Sequence, residues 1–362
     1  MSVLAEFHDE LRSVARDLLA PTSPLVTGGE PGQADRSQLA QAGWLGLEVP
    51  EAQGGSGASF AEVAVVLEEI GRAATATPML GTVLAVGALA SAQPSSARDE
   101  LLAGIASGDV RAAVALSAGD DGLADHPGFT IEHDRGTRRL SGRARFVPDA
   151  PDADRVLVVA EHPSSGPVLV EVAAGDDVDI RPVPVVDATR SLGEVSAAGT
   201  AVAADRWWKL PGGARPLTDR AGLAVAIDAV GVAGGALDAT VAYTAARRQF
   251  GRPIGTFQAV KHACADVAVE LAISRRLVAD AVEAFVAGAP GVEVAVSMAK
   301  AHAVETAVAA TGTALQLHGG IGYTWEHGLH VLVKRAALDR SLFGSPAAHR
   351  ARLAQRYPAM AS

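Results

Sequence analysis

The residue types able to do chemistry in this chain of 362 residues gather in one basic stretch, Arg247 to His262, which reads R-R-Q-F-G-R-P-I-G-T-F-Q-A-V-K-H. Arg247, Arg248 and Arg252 lie close enough in sequence to hold an anion. Such a local site is compatible with a net charge of −10, which argues only against general nucleic-acid binding. The plainer alternative is a helical hairpin whose arginines suit the negative end of a helix dipole. Other constellations are weaker. Gly54, Gly55 and Gly57 suggest a phosphate loop, but no Lys-Ser/Thr follows and no parallel-strand pattern precedes them. His327 and His330 stand three apart without a third ligand to complete a metal motif. A G-x-S-x-G elbow is absent and no Cys/His pairing is suggested by spacing, so hydrolase chemistry is not indicated.

The elements that must position the basic stretch are helices. Gly251, Pro253 and Gly255 form a stop and turn between one helical pattern from about Leu217 to Arg248 and another from about Thr256 to Ala287. A third runs from about Val292 to Leu317, capped by Gly319 and Gly320. Gly231, Gly234 and Gly235 give the first helix a face suited to close helix packing.

Residues 1–110 also read as helical, with helix-spaced apolar residues in the first helix, Leu4 to Leu19, and another helix through F-A-E-V-A-V-V-L-E-E-I-G-R. From about Arg111 the period shortens. Seven Val-rich segments follow, Arg111–Ser117, Phe129–Glu132, Arg138–Val147, Arg155–Ala160, Pro167–Glu171, Asp179–Val185 and Glu194–Val202, and they predict a β domain. The expectation is therefore an α+β chain, mostly α: a helical domain over 1–110, a β-barrel-like domain over 111–210 and a C-terminal four-helix bundle over 211–362.

An apolar content of 49% supplies a large core, built on small side chains because aromatics are only 4%. Cys264 is the one cysteine; it excludes an internal disulfide and reads as a buried small residue. The acidic N-terminus is no signal peptide, and the most apolar window, about Ala221 to Ala236, reads as too short and too polar to span a bilayer. A cytoplasmic protein is expected.

Three strings together resemble the acyl-CoA dehydrogenase family: R-x-Q-F-G-R-P-I-x-x-F-Q in the basic stretch, P-E-x-x-G-G-x-G followed by E-E-I-G-R upstream, and Q-L-H-G-G-I-G-Y with T-W-E-H-G-L-H near the end. A fourth, G-R-A-R-F-V-P-D-A-P-D-A-D-R-V, is similar to the family's middle domain, where the turn after the strand borders the flavin ring. The resemblance covers nearly the whole chain. It implies FAD as cofactor and α,β-dehydrogenation of an acyl-CoA thioester, with electrons passing to an electron-transfer flavoprotein. It also implies cofactor contacts at Arg247, Gln249, Phe250, Gln258, Gln316, Gly319 and Gly320, with Phe146, Val147 and Pro148 beside the ring.

Departures from the family pattern are as informative. The reaction needs a desolvated carboxylate to take the α proton, and family members keep it in one of two places. In the C-terminal segment this chain has Leu342-Phe343-Gly344-Ser345-Pro346, without an acid; before the x-F-G turn it has Arg248. Asp339, four residues before Phe343, reads as a solvated helix-end acid. A-L-S-A-G-D-D-G-L replaces the family's Thr-Glu-Pro and Gly-Ser-Asp segment, so Ser117 and Gly119 to Asp121 are a remnant at most. No catalytic residue is assigned. The pattern is that of a base-lacking subunit, like those of the bacterial hetero-oligomeric steroid-type enzymes, which lends residues to the flavin of a homologous base-bearing partner. The alternatives are a stand-alone flavoenzyme with an unrecognised base, or a member of the fold with other chemistry or none.

Overall fold

The computed structural model describes residues 3–116, 123, 127–134, 137–175 and 178–356. Ser117 and Gly119 to Asp121, the expected remnant of the thioester-side segment, lie outside the described residues.

The N-terminal part holds α1 (Val3–Leu19), α2 (Pro24–Thr27), α3 (Arg36–Gln41), α4 (Phe60–Ala73), α5 (Met79–Ser91) and α6 (Ser96–Ser107). Local chemistry starts α4. The Ser59 hydroxyl accepts from Ala61 N–H, while Glu62 reaches back to Ser59 N–H at 2.8 Å, a capping box that satisfies otherwise orphaned amides. The loop before it is a tight turn and not a phosphate cradle: a Cβ at Gly55 would meet the carbonyl of Val49.

The middle part is one sheet, β1 (Ala112–Ala115), β2 (Phe129–Asp134), β3 (Thr137–Pro148), β4 (Arg155–His162), β5 (Gly166–Ala173), β6 (Asp179–Pro182), β7 (Leu192–Val202) and β8 (Trp207–Lys209). Its order is β6-β7-β3-β2-β4-β5-β8, with β1 paired to β4. The expected barrel-like closure is thus corrected to an open sheet, because β6 and β8 end the path and do not pair with each other. Pairing is antiparallel except β1–β4 and β2–β4. β8 adds an eighth strand where the sequence suggested only a boundary. It pairs with β5, and Trp208 Nε1 donates to Ser95 Oγ at 2.7 Å, tying the sheet to the N-terminal helices.

The C-terminal part is helical: α7 (Arg215–Ala246), α8 (Gln258–Val286), α9 (Val292–His318), α10 (Leu329–Asp339) and α11 (Pro346–Arg356), with the two-residue strands β9 (Arg248–Gln249) and β10 (Arg252–Pro253) pairing in the turn after α7. Among the described residues, three long helices and two short ones make up this bundle. By length and apolarity α7 would pass for a membrane span, contrary to the sequence expectation, yet 78% of its most apolar window is buried inside the protein. Its small residues explain the position. A Cβ at Gly231 would strike the carbonyl of Glu68, and one at Gly235 the carbonyl of Arg72, so α4 lies backbone to backbone on α7. Gly234 faces the side chains of Arg275 and Arg72 instead. Cys264 on α8 is only half-buried, against expectation, and burial pushes its thiol up.

Candidate functional site

α7 ends in a turn whose chain is held by Arg247 N–H to Tyr243 O at 2.8 Å and by Ile254 N–H to Arg247 O at 2.8 Å. The short loop after α8 makes α8 and α9 antiparallel, and Ser274 Oγ to His302 Nδ1 at 2.9 Å sets their register. That register puts the start of α8, Gln258, level with the end of α9, where Gln316, Gly319 and Gly320 lie. Tyr243 OH donates to His318 O at 3.3 Å and joins the end of α7 to the same place. All seven expected cofactor contacts, Arg247, Gln249, Phe250, Gln258, Gln316, Gly319 and Gly320, are therefore at one end of the bundle, and every one is exposed.

The chemistry of this end is specific. Among the described residues, no carboxylate lies within ion-pair distance of Arg247, Arg248 or Arg252. Arg248 donates to Gly251 O at 3.1 Å, and Arg252 stacks 4.1 Å from the centroid of Phe257. Phe250 is 89% exposed with a φ of 49°, in the left-handed region that a bulky side chain rarely occupies. Nothing lies within 4 Å of a Cβ built at Gly319 or Gly320. The outcome is a surface of unpaired cations, amide side chains and open glycines beside a solvent-facing aromatic. Such a donor set suits a diphosphate carried by a flat ring system.

The two positions where a base is expected look different. Arg248 is on the exposed face just described. Phe343 is held with φ of 53°, packs against the cores of both the bundle and the N-terminal helices, and its carbonyl is bonded to His349 Nε2 at 3.0 Å. Phe146 sits at a register shift between β3 and β7, with φ of 56° and 42% exposure, while Val147 and Pro148 beside it are buried. Left-handed backbone thus occurs at Phe146 and Phe250, in two segments that carry the family resemblance, and at Phe343, where the chain departs from it.

Asp339 corrects the sequence reading: it is fully buried, 0% exposed, not solvated. Its Oδ1 accepts from Arg190 at 3.1 Å, Arg190 also reaches Asp228 at 3.0 Å, and Arg335 grips Asp228 with two bonds of 2.9 and 2.6 Å. Lys300 Nζ donates to Asp339 O at 2.7 Å and to Gly344 O at 3.3 Å. Arg335 further donates to Thr75 O and Thr189 Oγ1 at 3.0 and 2.9 Å. The hub joins all three parts of the molecule.

Burial and the charge of Asp228 hold Asp339 well above the usual carboxylate range. Burial brings Lys300 down to about 7 against the opposing pull of Asp339. For Asp228 burial acts upward, but Arg335 and Arg190 win and lower it. Asp228 lies inside the most apolar helix, and its hub draws on the loop between β6 and β7, on α9 and α10, and through Arg335 on Thr75 of the N-terminal part.

Helical parts on either side of an open sheet, with an exposed cationic face at the end of the last bundle, define a three-part helix–sheet–helix scaffold. The acyl-CoA dehydrogenase N-terminal domain matches residues 4–109, and the acyl-CoA dehydrogenase C-terminal domain matches residues 218–357. The chain belongs to the acyl-CoA dehydrogenase family. It is 34% identical over 84% of its length to acyl-CoA dehydrogenase IpdE2 of Mycolicibacterium smegmatis, covering 82% of that protein. Among solved structures it is similar to a variant of the Tcur3481–Tcur3483 steroid ACAD, with 31% identity, a TM-score of 0.86 and 98% of each chain covered. It is also similar to the ChsE4–ChsE5 complex from Mycobacterium tuberculosis, with 26% identity, a TM-score of 0.87 and 98% of each chain covered.

Proposed function

We propose that this chain is the base-lacking subunit of a hetero-oligomeric acyl-CoA dehydrogenase, active on an acyl-CoA thioester of the steroid or lipid class together with a homologous base-bearing partner. One observation carries the reading. The expected cofactor contacts form an exposed cationic face without carboxylate partners among the described residues, whereas the C-terminal seat of the base is a half-buried phenylalanine packed against two cores. The similar structures whose names give two components support a partnership.

On this reading FAD is the cofactor, and when bound it accepts the hydride leaving the β carbon. Arg247 offers its guanidinium to the diphosphate, and Gln249, Gln258 and Gln316 offer amide donors. Gly319 and Gly320 let backbone approach closely because no Cβ intervenes. Phe250, held out by its backbone, covers apolar ring surface and excludes water. Proton removal from the α carbon falls to the partner, and reoxidation to an electron-transfer flavoprotein. A cytoplasmic location goes with the reading.

The test is purification of the chain alone and after co-expression with a base-bearing homologue, with bound flavin read by absorbance. Flavin is expected only in the complex, and Arg247→Ala is expected to lower its retention there. Stoichiometric flavin on the homogeneous chain would favour the stand-alone enzyme.

A further inference from the structure

The expected cofactor contacts come from separate helix ends, Arg247 following α7 and Gly319 and Gly320 following α9. A ligand gripped from both gains most when their spacing is set before it arrives. Tyr243 spans the two. Its carbonyl accepts from Arg247 N–H at 2.8 Å, and its hydroxyl donates to His318 O at 3.3 Å, on the residue directly before Gly319. Carbonyls in the last turn of a helix lack an intrahelical donor, so this hydroxyl meets a group that α9 cannot satisfy by itself.

His318 is a fixed point for the span. It is buried, its Nδ1 is bonded to Ala314 O at 2.7 Å, and the Tyr243 ring stacks on it at 4.2 Å and 22°. His327, from the loop before α10, meets the same ring edge-on at 4.5 Å. Gly319 then leaves the helix with φ of 63° and ψ of −145°. A glycine pair has many backbone alternatives to this course, and the anchor at His318 O narrows them. Tyr243 itself is half-buried behind the exposed face.

We propose that Tyr243 is a positioning residue for the cofactor: its hydroxyl, acting through His318 O, holds the Gly319–Gly320 turn in register with Arg247, ready for the diphosphate of FAD. The inference rests on the reading that this face takes a flavin, and adds to it a residue that no motif singled out.

Amide hydrogen exchange in the chain alone tests the anchor. Tyr243→Phe keeps the aromatic stack and deletes only the hydroxyl; Thr311→Val deletes a buried hydroxyl bonded to Ala307 O within α9 and serves as the control. Exchange from Gly319 to Tyr323 should quicken about fivefold in Tyr243→Phe, the weight of one net hydrogen bond, with α9 upstream unchanged, and should stay parental at the turn in Thr311→Val. The consequence is read in the complex with a base-bearing homologue, stripped of flavin and titrated with FAD by flavin fluorescence. The dissociation constant should rise by about the same factor in Tyr243→Phe, because a smaller fraction of the turn is competent, and stay parental in Thr311→Val. Parental exchange at the turn in Tyr243→Phe, or exchange quickened equally along α7 and α9, overturns the anchor. A parental dissociation constant beside a quickened turn overturns the positioning role. A complex that takes up no FAD, or an Arg247→Ala complex with parental affinity, removes the flavin reading of this face and the inference with it.

Discussion

Arg335 and Asp149 tie separate parts of the chain together, Arg335 bonding Thr75 O and Asp149 bonding Gly81 N–H. Arg335 is buried and divides its donors among Asp228, Thr75 O and Thr189. Arg335→Met should cost about 3–5 kcal/mol in denaturant unfolding, because it leaves a buried carboxylate short of a partner. Asp149 accepts from Gly81 N–H at 2.7 Å, and burial pushes its carboxyl up to about 7. The folded chain then holds a proton that the unfolded chain has lost, so stability falls as pH rises from about 4 to about 7. Asp149→Asn should flatten that slope, matching the parent at pH 4 and exceeding it at pH 8 in thermal unfolding. At this scale the motifs named Arg247 and Gln316 as expected cofactor contacts, and both side chains are exposed. The sequence was misleading at Asp339, since an acid at a helix end looks solvated until the loop between β6 and β7 and the side chain of Lys300 close over it.

Helices and strands were more legible, because their signals are local. Gly231, Gly234 and Gly235 announced a closely packed helix, and Gly231 and Gly235 do meet α4 at its backbone. The corresponding test is a pair of substitutions. Gly231→Ala should destabilise by about 1–3 kcal/mol, since carbonyl atoms of α4 cannot yield as a side-chain tip would. Gly312→Ala on α9, where a Cβ would meet nothing within 4 Å, should stabilise the isolated chain by about 0.5–1 kcal/mol through helix propensity. Equal effects in chemical denaturation would remove the backbone-contact explanation. Barrel closure and the eighth strand were not legible, for the same physical reason. Alternation marks a strand but carries no information about which edge it pairs with, and the three residues Trp207–Lys209 are too few to show a period.

For the whole molecule, the proposed division between an exposed cofactor face and two expected base seats without an acid sets the expected activity. A general base contributes about 10²–10⁴ in rate, and neither expected seat offers one: the Arg248 side chain has donors and no acceptor, and Phe343 is an apolar ring packed against two cores. Purified alone, the chain should show little or no oxidation of any acyl-CoA, and a base-bearing partner should restore turnover. Restoring an acid to one position should not suffice. Arg248→Glu places a carboxylate on the exposed turn beside Gly251, without the desolvation that would raise its pKa. Phe343→Glu exchanges an aromatic shared by two cores for a charge, and the expected cost is in folding before any gain in rate. Dye-linked assays of both variants, alone and in complex, check this directly. Turnover by either homogeneous variant at a rate near that of the complex would show that the chain holds flavin and thioester by itself, and that only the base had been lost.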